Sequence, residues 1–303
     1  MSGRTILLTG VNGQVGFELA RSLQGLGKVV ALDRNGLDLG DLGQVRRVVR
    51  EVKPSLIVNP AAYTAVDKAE TDVDAAMRIN GEAPGVMAEE AKRLGEALVH
   101  FSTDYVFDGT KDGAYVEDDA VNPQNVYGRS KFAGELAIVA SGCDHLIFRT
   151  SWVYGTRGKN FLLTMLRLGA ERDELSVVAD QIGAPTWAVT IAALTANVLA
   201  QGRDRDWWSE KSGVYHLTAG GATSWHGFAQ AIFEIAMGAS GPAVRPISSA
   251  DYPVPAKRPA NSRMSQEKLA TRFGLVLPAW DEALRLCLNG MELQAGKRTG
   301  DVS

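Results

Sequence analysis

Tyr127 and Lys131 stand four residues apart in a stretch with helical spacing, and together they could perform acid–base chemistry on a carbonyl group. Residues at positions i and i+4 share one face of a helix, so both side chains can address the same pocket. A phenol has an ordinary pKa of about 10, and a nearby ammonium group lowers this pKa by stabilising the phenolate. The pair therefore predicts a lysine-tuned phenol that donates a proton to a carbonyl oxygen as hydride reaches the carbon.

Thr103 is the third candidate catalytic residue, because it directly follows a predicted apolar strand at 97–102. Ligands collect at the carboxyl ends of the strands in open parallel sheets. The Thr103 hydroxyl could hydrogen-bond the reacting carbonyl, although a hydroxyl at a strand end is also a common backbone cap. A Tyr–Lys pair at this spacing is frequent by chance, so its value depends on the elements around it.

A glycine-rich loop with the spacing GxxGxxG follows the first predicted strand and precedes an amphipathic helical stretch. Gly10 permits a tight turn, Gly13 lets the backbone approach a pyrophosphate, and Gly16 allows the helix to lie close to the strand. The free amides at the start of that helix would face the phosphates. This context predicts a dinucleotide-binding site.

Asp33 and Arg34 follow the second predicted strand and bear on the choice of cofactor. Asp33 lies near the spacing expected for an acid that binds the adenosine ribose, and it would favour the free 2′-hydroxyl of NADH. Arg34 could instead hold the 2′-phosphate of NADPH. The sequence leaves NADPH and NADH open, and a surface acid at a strand end is the simpler alternative for Asp33.

Short apolar runs alternate with longer helical patterns through the first half of the chain, at 5–9, 29–32, 56–59, 97–102 and 146–149. Runs of this kind are typical of strands buried on both faces of a parallel sheet. We predict an α/β fold, a doubly wound and mostly parallel Rossmann-type sheet with a smaller α/β substrate-binding lobe. The expected divisions are a dinucleotide-binding domain at 1–151 plus about 186–220, the lobe at about 152–185 plus 221–292, and a flexible tail at 293–303.

The charge, cysteine content and apolar segments of the chain bear on which partners and which location it can have. The 303 residues include 32 Lys and Arg against 35 Asp and Glu, a net charge of −3, so nucleic acid is not an expected partner. The two cysteines form no CxxC pair, and no leader or long apolar segment is visible, so we expect a reducing, cytoplasmic location and no membrane association. No compact cluster of metal ligands occurs in the sequence, and we predict no metal.

Further motifs support a resemblance that runs nearly end to end. They are NPAAYTAVD at 59–67, STDYVF at 102–107, NVYG at 125–128, FRTSWVY at 148–154, DQIGAPT at 180–186 and RPANS at 258–262. With the glycine loop and the Tyr–Lys pair, they resemble the extended short-chain dehydrogenase/reductase family and, within it, the dTDP-4-dehydrorhamnose reductases. The resemblance implies reduction of the C4 ketone of a dTDP-linked keto-sugar, dTDP-4-dehydro-L-rhamnose, to dTDP-L-rhamnose with NADPH or NADH.

The resemblance also implies residue roles. Tyr127 is the proton donor, Lys131 its partner, and Thr103 orients the keto group. The implied cofactor contacts, with those argued above, are Gly10, Gly13, Gln14, Val15, Gly16, Asp33, Arg34, Asp38, Leu39, Ala61, Ala62, Tyr63 and Lys131. The implied substrate contacts are Thr103, Asp104, Trp152, Asn160, Gln181 and Arg258. Trp152 is as compatible with a core position as with a sugar contact.

Two alternatives stay open at this level. Another nucleotide-sugar enzyme of the same scaffold, an epimerase or a reductase of a related 4-keto-sugar, would share most of these motifs. A non-catalytic, cofactor-binding regulatory subunit is the second, although Tyr127 and Lys131 are both present. The exact sugar and the oligomeric state are open as well, with a homodimer as one candidate assembly.

Overall fold

The structure is a computed structural model of the chain, and it describes residues 4–202 and 204–299, with side chains described as far as Met291. The strands are β1 Thr5–Leu8, β2 Lys28–Ala31, β3 Leu56–Asn59, β4 Ala97–Thr103, β5 His145–Thr150, β6 Val153–Tyr154, β7 Glu174–Val178, β8 Ile182–Gly183, β9 Thr186–Trp187, β10 Gly213–His216, β11 Thr223–Ser224 and β12 Ala243–Ile247. The helices are α1 Gln14–Ser22, α2 Leu42–Val52, α3 Val66–Ala69, α4 Val73–Met77, α5 Ala83–Leu94, α6 Val126–Ala140, α7 Phe161–Glu171, α8 Ala188–Gln201, α9 Arg205–Lys211, α10 Trp225–Met237, α11 Glu267–Phe273 and α12 Trp280–Thr299.

Six strands form one parallel sheet in the order β10-β5-β4-β3-β1-β2. The strands are continuous apolar runs because helices cover both faces of the sheet. The chain returns to the sheet with β10, within the stretch 189–217 where the sequence predicts a return. The strand order reverses between β1 and β3, and ligands bind at such a reversal, outside the carboxyl ends of the strands. The predicted doubly wound α/β fold is therefore confirmed.

Two hydrophobic clusters cover the faces of the sheet. One contains Ile6 and Leu8 of β1 with Ile191 of α8, and the other contains Leu7 of β1 with Val45 of α2. Successive residues of β1 thus point to opposite faces, as the twofold repeat of a strand requires. This double burial fixes the register of the strands and, with it, the positions of the loops at their carboxyl ends.

A third hydrophobic cluster forms the core of a smaller unit. It joins Leu162 of α7, Phe228 of α10 and Leu284 of α12. The sheet of this unit pairs β7 with β12 in parallel. Phe273 of α11 instead packs in the cluster on the first face of the large sheet. The division into two domains stays a proposal, and this contact would assign α11 to the larger one.

Two expectations concern the last third of the chain. We interpret the pair Trp207 and Trp208 in the sequence as surface or subunit contacts, but Trp208 is buried in the core cluster beside the sheet and Trp207 packs against that cluster. The tail expected at 293–303 stays a prediction, because residues 300–303 lie outside the described part of the chain and α12 continues to Thr299. Within the described residues, no helix has the length and apolar character needed to cross a membrane.

Candidate active site

The loop after β1 is shaped by close backbone contacts. Gly10 has a positive φ of 59°, and a Cβ atom there would lie 2.9 Å from Ala61, which follows β3. A Cβ atom on Gly16 would lie 2.2 Å from the Gly10 carbonyl oxygen, so only glycine lets α1 start this close to the strand. Gly13 caps α1 without a side-chain acceptor, which leaves the first-turn amides free for an anion.

A cavity of about 560 Å³ opens beside this loop at the carboxyl edge of the sheet. All thirteen residues predicted to bind the cofactor line it: Gly10, Gly13, Gln14, Val15, Gly16, Asp33, Arg34, Asp38, Leu39, Ala61, Ala62, Tyr63 and Lys131. Tyr127, Ser102 and Thr150 line it too. The glycine loop and the acid–base pair therefore share one cavity, and its shape and free amides fit an extended dinucleotide.

Asp33 and Arg34 lie at the β2 end of this cavity. Asp33 Oδ1 accepts hydrogen bonds from the amides of Asn35 and Gly36, at 3.0 and 3.1 Å, and these fix the carboxylate at the mouth. The Arg34 side chain is 80% exposed, with Nε 3.6 Å from Asp38 Oδ1. An exposed ion pair of this kind is weak, so the guanidinium can reorient towards a ligand phosphate.

Helix α6 carries both members of the acid–base pair. Its N-cap is Asn125, whose side-chain oxygen accepts a 2.8 Å hydrogen bond from the Gly128 amide. A Cβ atom on Gly128 would lie 2.2 Å from the Tyr105 carbonyl oxygen, so this glycine lets the first turn of α6 pack against the segment after β4. The cap and the close contact place Tyr127 and Lys131 over the end of the sheet.

The electrostatics of the pair differ from the sequence prediction. Burial raises the pKa of Tyr127 well above its ordinary value, while the neighbouring Thr103 hydroxyl opposes that rise. Burial also lowers the pKa of Lys131 from 10.5 to about 7, against the charge of Glu135. The expected lowering of the phenol pKa is wrong for this structure, because desolvation of the phenolate, together with the charge of Asp104, raises that pKa.

Thr103 closes β4 and lies between the phenol and a buried acid. Its hydroxyl donates a 3.0 Å hydrogen bond to Oδ1 of Asp104, whose side chain is 3% exposed. Burial raises the pKa of Asp104 from 3.8 to about 6, and Asp104 in turn raises the pKa of Tyr127 through its charge. The phenol therefore stays protonated near neutral pH, as a proton donor must.

A buried ionic network under the cavity was not identified from the sequence. Arg149 of β5 donates two hydrogen bonds to Glu135 of α6, at 3.0 and 2.7 Å, and Ser102 donates a third at 2.5 Å. Both charged side chains are less than 5% exposed. Glu135 follows Lys131 by one helical turn, and this i+4 spacing is the sequence signal that could have indicated it.

Trp152 and Asn160, both predicted to contact the sugar, are held by other protein groups. Trp152 adopts a positive φ of 47° and stacks on Trp225, with ring centroids 3.6 Å apart. Asn160 caps α7 through a 3.0 Å hydrogen bond from the Leu163 amide, and its amide nitrogen donates to Gln14 Oε1 at 2.9 Å. Asn160 thus ties the start of α7 to the phosphate loop.

Gln181 and Arg258, the other distant substrate candidates, lie on segments that run side by side. Gln181 precedes β8, where the Ile182 amide donates to the Ala260 carbonyl oxygen at 2.8 Å. Arg258 donates to Asp67 Oδ2 at 2.7 Å and to the Tyr105 hydroxyl at 2.9 Å. Neither these two residues nor Thr103, Asp104, Trp152 and Asn160 are among the described residues that line the cofactor cavity. Their substrate contacts stay predictions.

The chemistry available here is proton transfer beside a dinucleotide-shaped cavity. Within the described residues there is no group of three or more His, Cys, Asp and Glu side chains that could hold a metal ion.

Comparison with known proteins gives a consistent result. The sequence profile of a family described as "RmlD substrate binding domain" matches residues 4–293. A dTDP-4-dehydrorhamnose reductase of Burkholderia thailandensis is 55% identical over 94% of this chain and 98% of that protein, and the Escherichia coli K12 reductase is 44% identical over 94% and 97%. A Bacillus anthracis dTDP-4-dehydrorhamnose reductase, solved in complex with NADP, superposes with a TM-score of 0.87 at 37% identity over 96% of this chain and all of that one.

Proposed function

This chain belongs to the dTDP-4-dehydrorhamnose reductase family, and from that premise we propose that it reduces the C4 ketone of dTDP-4-dehydro-L-rhamnose to dTDP-L-rhamnose with NADPH or NADH. One observation carries the proposal within the structure. Tyr127 and Lys131 line the same cavity as the glycine loop, and Thr103 lies beside Tyr127. The proposed proton donor and the proposed dinucleotide site are thus adjacent, as a carbonyl reduction requires.

The proposed role of Tyr127 is to give its phenolic proton to the ketone oxygen. Its raised pKa keeps the proton in place until the oxygen gains negative charge. The Thr103 hydroxyl, which donates to Asp104 and lies beside Tyr127, is proposed to orient the same oxygen. Proton donation by a positioned side chain typically contributes about 10²–10⁴-fold to a rate.

Lys131 would stabilise the phenolate that remains after proton transfer. Because the Lys131 pKa is about 7, the amine carries its charge below that pH and loses it above. The expected sign follows directly: the rate of ketone reduction falls as the pH rises through this value. The negative charge of Glu135, one helical turn away, favours the charged amine and so limits how far burial lowers the pKa of Lys131.

The cofactor would be held by the residues of the cavity. The first-turn amides of α1 would bind the pyrophosphate, Asp33 or Arg34 the adenosine ribose, and Lys131 the nicotinamide ribose. When bound, the reduced nicotinamide supplies the hydride to the carbonyl carbon. For the dTDP-sugar, Arg258 is the proposed cation beside the diphosphate, with Asp104, Trp152, Asn160 and Gln181 around it. A cytoplasmic location stays a prediction, and a homodimer stays a candidate assembly.

The test is an assay of the purified full-length chain with NADPH or NADH and a panel of dTDP- and UDP-linked 4-keto-sugars. We expect oxidation of the cofactor in step with formation of dTDP-L-rhamnose. An epimerase of the same fold would instead retain a bound nucleotide through purification and convert sugars without net oxidation of added cofactor. That outcome, or no turnover of any keto-sugar, would contradict the proposal.

A further inference from the structure

His100 lies in the middle of β4, directly beneath Lys131. Its side chain is fully buried, with 0% exposure. Its Nε2 atom lies 3.0 Å from Lys131 Nζ, and its Nδ1 atom lies 3.1 Å from Asn59 Nδ2. Among the described residues, His100 is the one hydrogen-bond partner that the Lys131 amine has. The position of this amine therefore depends on His100.

The row of polar side chains continues across the sheet to the phosphate loop. Asn59 ends β3 and is the strand partner of His100, and its Oδ1 atom accepts a 2.6 Å hydrogen bond from the hydroxyl of Thr9, next to Gly10. Thr9, Asn59 and His100 are each 1% exposed or less. Buried polar groups without partners are costly, so these three side chains must satisfy one another.

The proton positions along this row define one arrangement of hydrogen bonds for an uncharged lysine. A neutral imidazole has one N–H donor and one acceptor nitrogen. If Asn59 donates to Nδ1, the ring proton is on Nε2, and this Nε2–H points at Lys131 Nζ. A hydrogen bond then requires a lone pair on the lysine nitrogen, so this arrangement belongs to the uncharged amine.

The second arrangement belongs to the charged lysine. An ammonium group can only donate, so Nε2 must accept and the ring proton moves to Nδ1. Asn59 then turns its amide over and accepts from Nδ1–H, and the Thr9 hydroxyl rotates to accept from the Asn59 amide. The oxygen and nitrogen of an amide are assigned from their hydrogen bonds, so the same heavy-atom positions accommodate both arrangements.

We propose that His100 is a positioning residue for Lys131, and that its ring tautomer follows the charge of the lysine amine. His100 keeps hydrogen bonds to both neighbours in either state, whereas a side chain with only donors or only acceptors would lose one. Burial keeps the imidazole neutral, since it lowers the pKa of His100 well below the ordinary value. The proposal rests on the proposed function only for the role of Lys131 in turnover.

The charged and titratable groups around Lys131 come from three elements. Tyr127 and Glu135 lie on its own helix, one turn to either side. Asp104 follows β4 and faces Tyr127, and Arg149 of β5 is paired with Glu135. Of these, Glu135 acts on the Lys131 pKa through its charge. His100 is the neutral group that can adapt as that charge changes.

Nitrogen-15 NMR of the histidine rings in the full-length protein tests the tautomer directly and needs no activity. His145 Nδ1 and His226 Nε2 each face a backbone carbonyl oxygen, at 2.8 and 3.1 Å, so the two rings serve as internal references for the Nδ1–H and Nε2–H forms. We expect His100 to change from the Nδ1–H form to the Nε2–H form as the pH rises through the range in which Lys131 loses its charge. Lys131→Met should abolish this change, and a wild-type His100 that keeps one tautomer throughout would overturn the proposal.

Kinetic variants test the positioning role separately. His100→Leu should lower kcat by about tenfold or more and move the loss of rate at high pH to lower pH, because the ammonium loses its acceptor. His100→Gln, whose amide can both donate and accept, should restore the wild-type pH profile. His226→Gln is the matched control and should leave the profile unchanged.

A folded His100→Leu enzyme with the wild-type pH profile would refute the role, and the NMR result decides if that variant does not fold. If no keto-sugar is reduced at all, the proposed function is wrong, and the NMR experiment still tests the tautomer change independently.

Discussion

Replacement of Lys131 by methionine should make the protein more stable at neutral pH while removing most of its activity. The lysine side chain is 1% exposed, and its amine is lodged between the sheet and α6. Met has a similar length and no charge, so it fills the same space without the desolvation cost. The prediction separates what Lys131 does for catalysis from what it does for folding.

The magnitude follows from the pKa of Lys131. Burial lowers this pKa from 10.5 to about 7, a difference of about 3.5 units, and each unit corresponds to about 1.4 kcal/mol. At pH 7 and below, burial of the amine therefore costs about 5 kcal/mol of folding free energy. The Met variant also leaves His100 Nε2 without its partner, which costs about 1–3 kcal/mol. The expected net gain at pH 7 is about 2–4 kcal/mol.

The sign of the pH dependence provides a stricter test than the size of the stability gain. Between about pH 7 and the ordinary lysine pKa, the unfolded chain binds a proton that the folded protein does not, so the stability of the wild type rises with pH across this window. Because the folded lysine is half-titrated near pH 7, the advantage of the Met variant should shrink by about 2 kcal/mol from about pH 7 to about pH 9, approaching about 1.4 kcal/mol per pH unit. Titrating groups that do not interact with Lys131 behave alike in both proteins and cancel in the difference.

Urea denaturation of both proteins at several pH values measures the effect. The exposed Lys92 of α5 offers a matched control for the loss of a lysine, and Lys92→Met should change the unfolding free energy by no more than about 0.5 kcal/mol. A stability difference between Lys131→Met and the wild type that stays constant from about pH 7 to about pH 9 would refute the idea that burial depresses the lysine pKa.

Three further predictions concern the cofactor loop and the buried acid. Gly16→Ala should weaken NADPH binding by more than about tenfold, because its Cβ would lie 2.2 Å from the Gly10 carbonyl oxygen. Gly25→Ala, with no atom within 4 Å of its Cβ, is the control and should bind NADPH normally. Equal affinities of the two variants in fluorescence titration would contradict this prediction. Asp33→Ala should raise the Kd for NADH more than that for NADPH, and equal losses would mean that Asp33 does not bind the ribose. Asp104→Asn should gain stability relative to the wild type, by up to about 3 kcal/mol, as the pH rises from about 4 to about 7. The reason is that a carboxyl whose pKa is raised from 3.8 to about 6 destabilises the folded state once it ionises. A stability difference in urea denaturation that does not change with pH would contradict this prediction.

The sheet could be predicted from the sequence because each central strand is an unbroken apolar run. β3 occupies the predicted residues 56–59, and the other four predicted strands agree with the structure to within one residue at each end. The glycine loop and the Tyr–Lys pair were visible for a similar reason, since their chemistry depends on spacings of a few residues. Local patterns of this kind carry their own geometry.

The side-chain environment of the pair could not be read from spacing. His100 contacts Lys131 across 31 positions and Asn59 across 41. Strand register pairs His100 with Asn59, and the packing of α6 against the sheet brings Lys131 to His100. The raised pKa of Tyr127 depends on the depth of its burial, which is a property of the packed structure. Asn160 shows the same limit, because its cap on α7 and its hydrogen bond with Gln14 depend on how the chain packs.

Turnover of dTDP-4-dehydro-L-rhamnose by Tyr127→Phe tests most directly whether the phenol at the end of the sheet supplies the proton. The substitution removes one hydroxyl, so kcat should fall by about 10²–10⁴-fold while the Kd for NADPH stays within about twofold of the wild-type value. Tyr154→Phe, which removes a hydroxyl from the core of the smaller unit, should turn over normally. Near-normal turnover by Tyr127→Phe would contradict the assignment of Tyr127 as the proton donor.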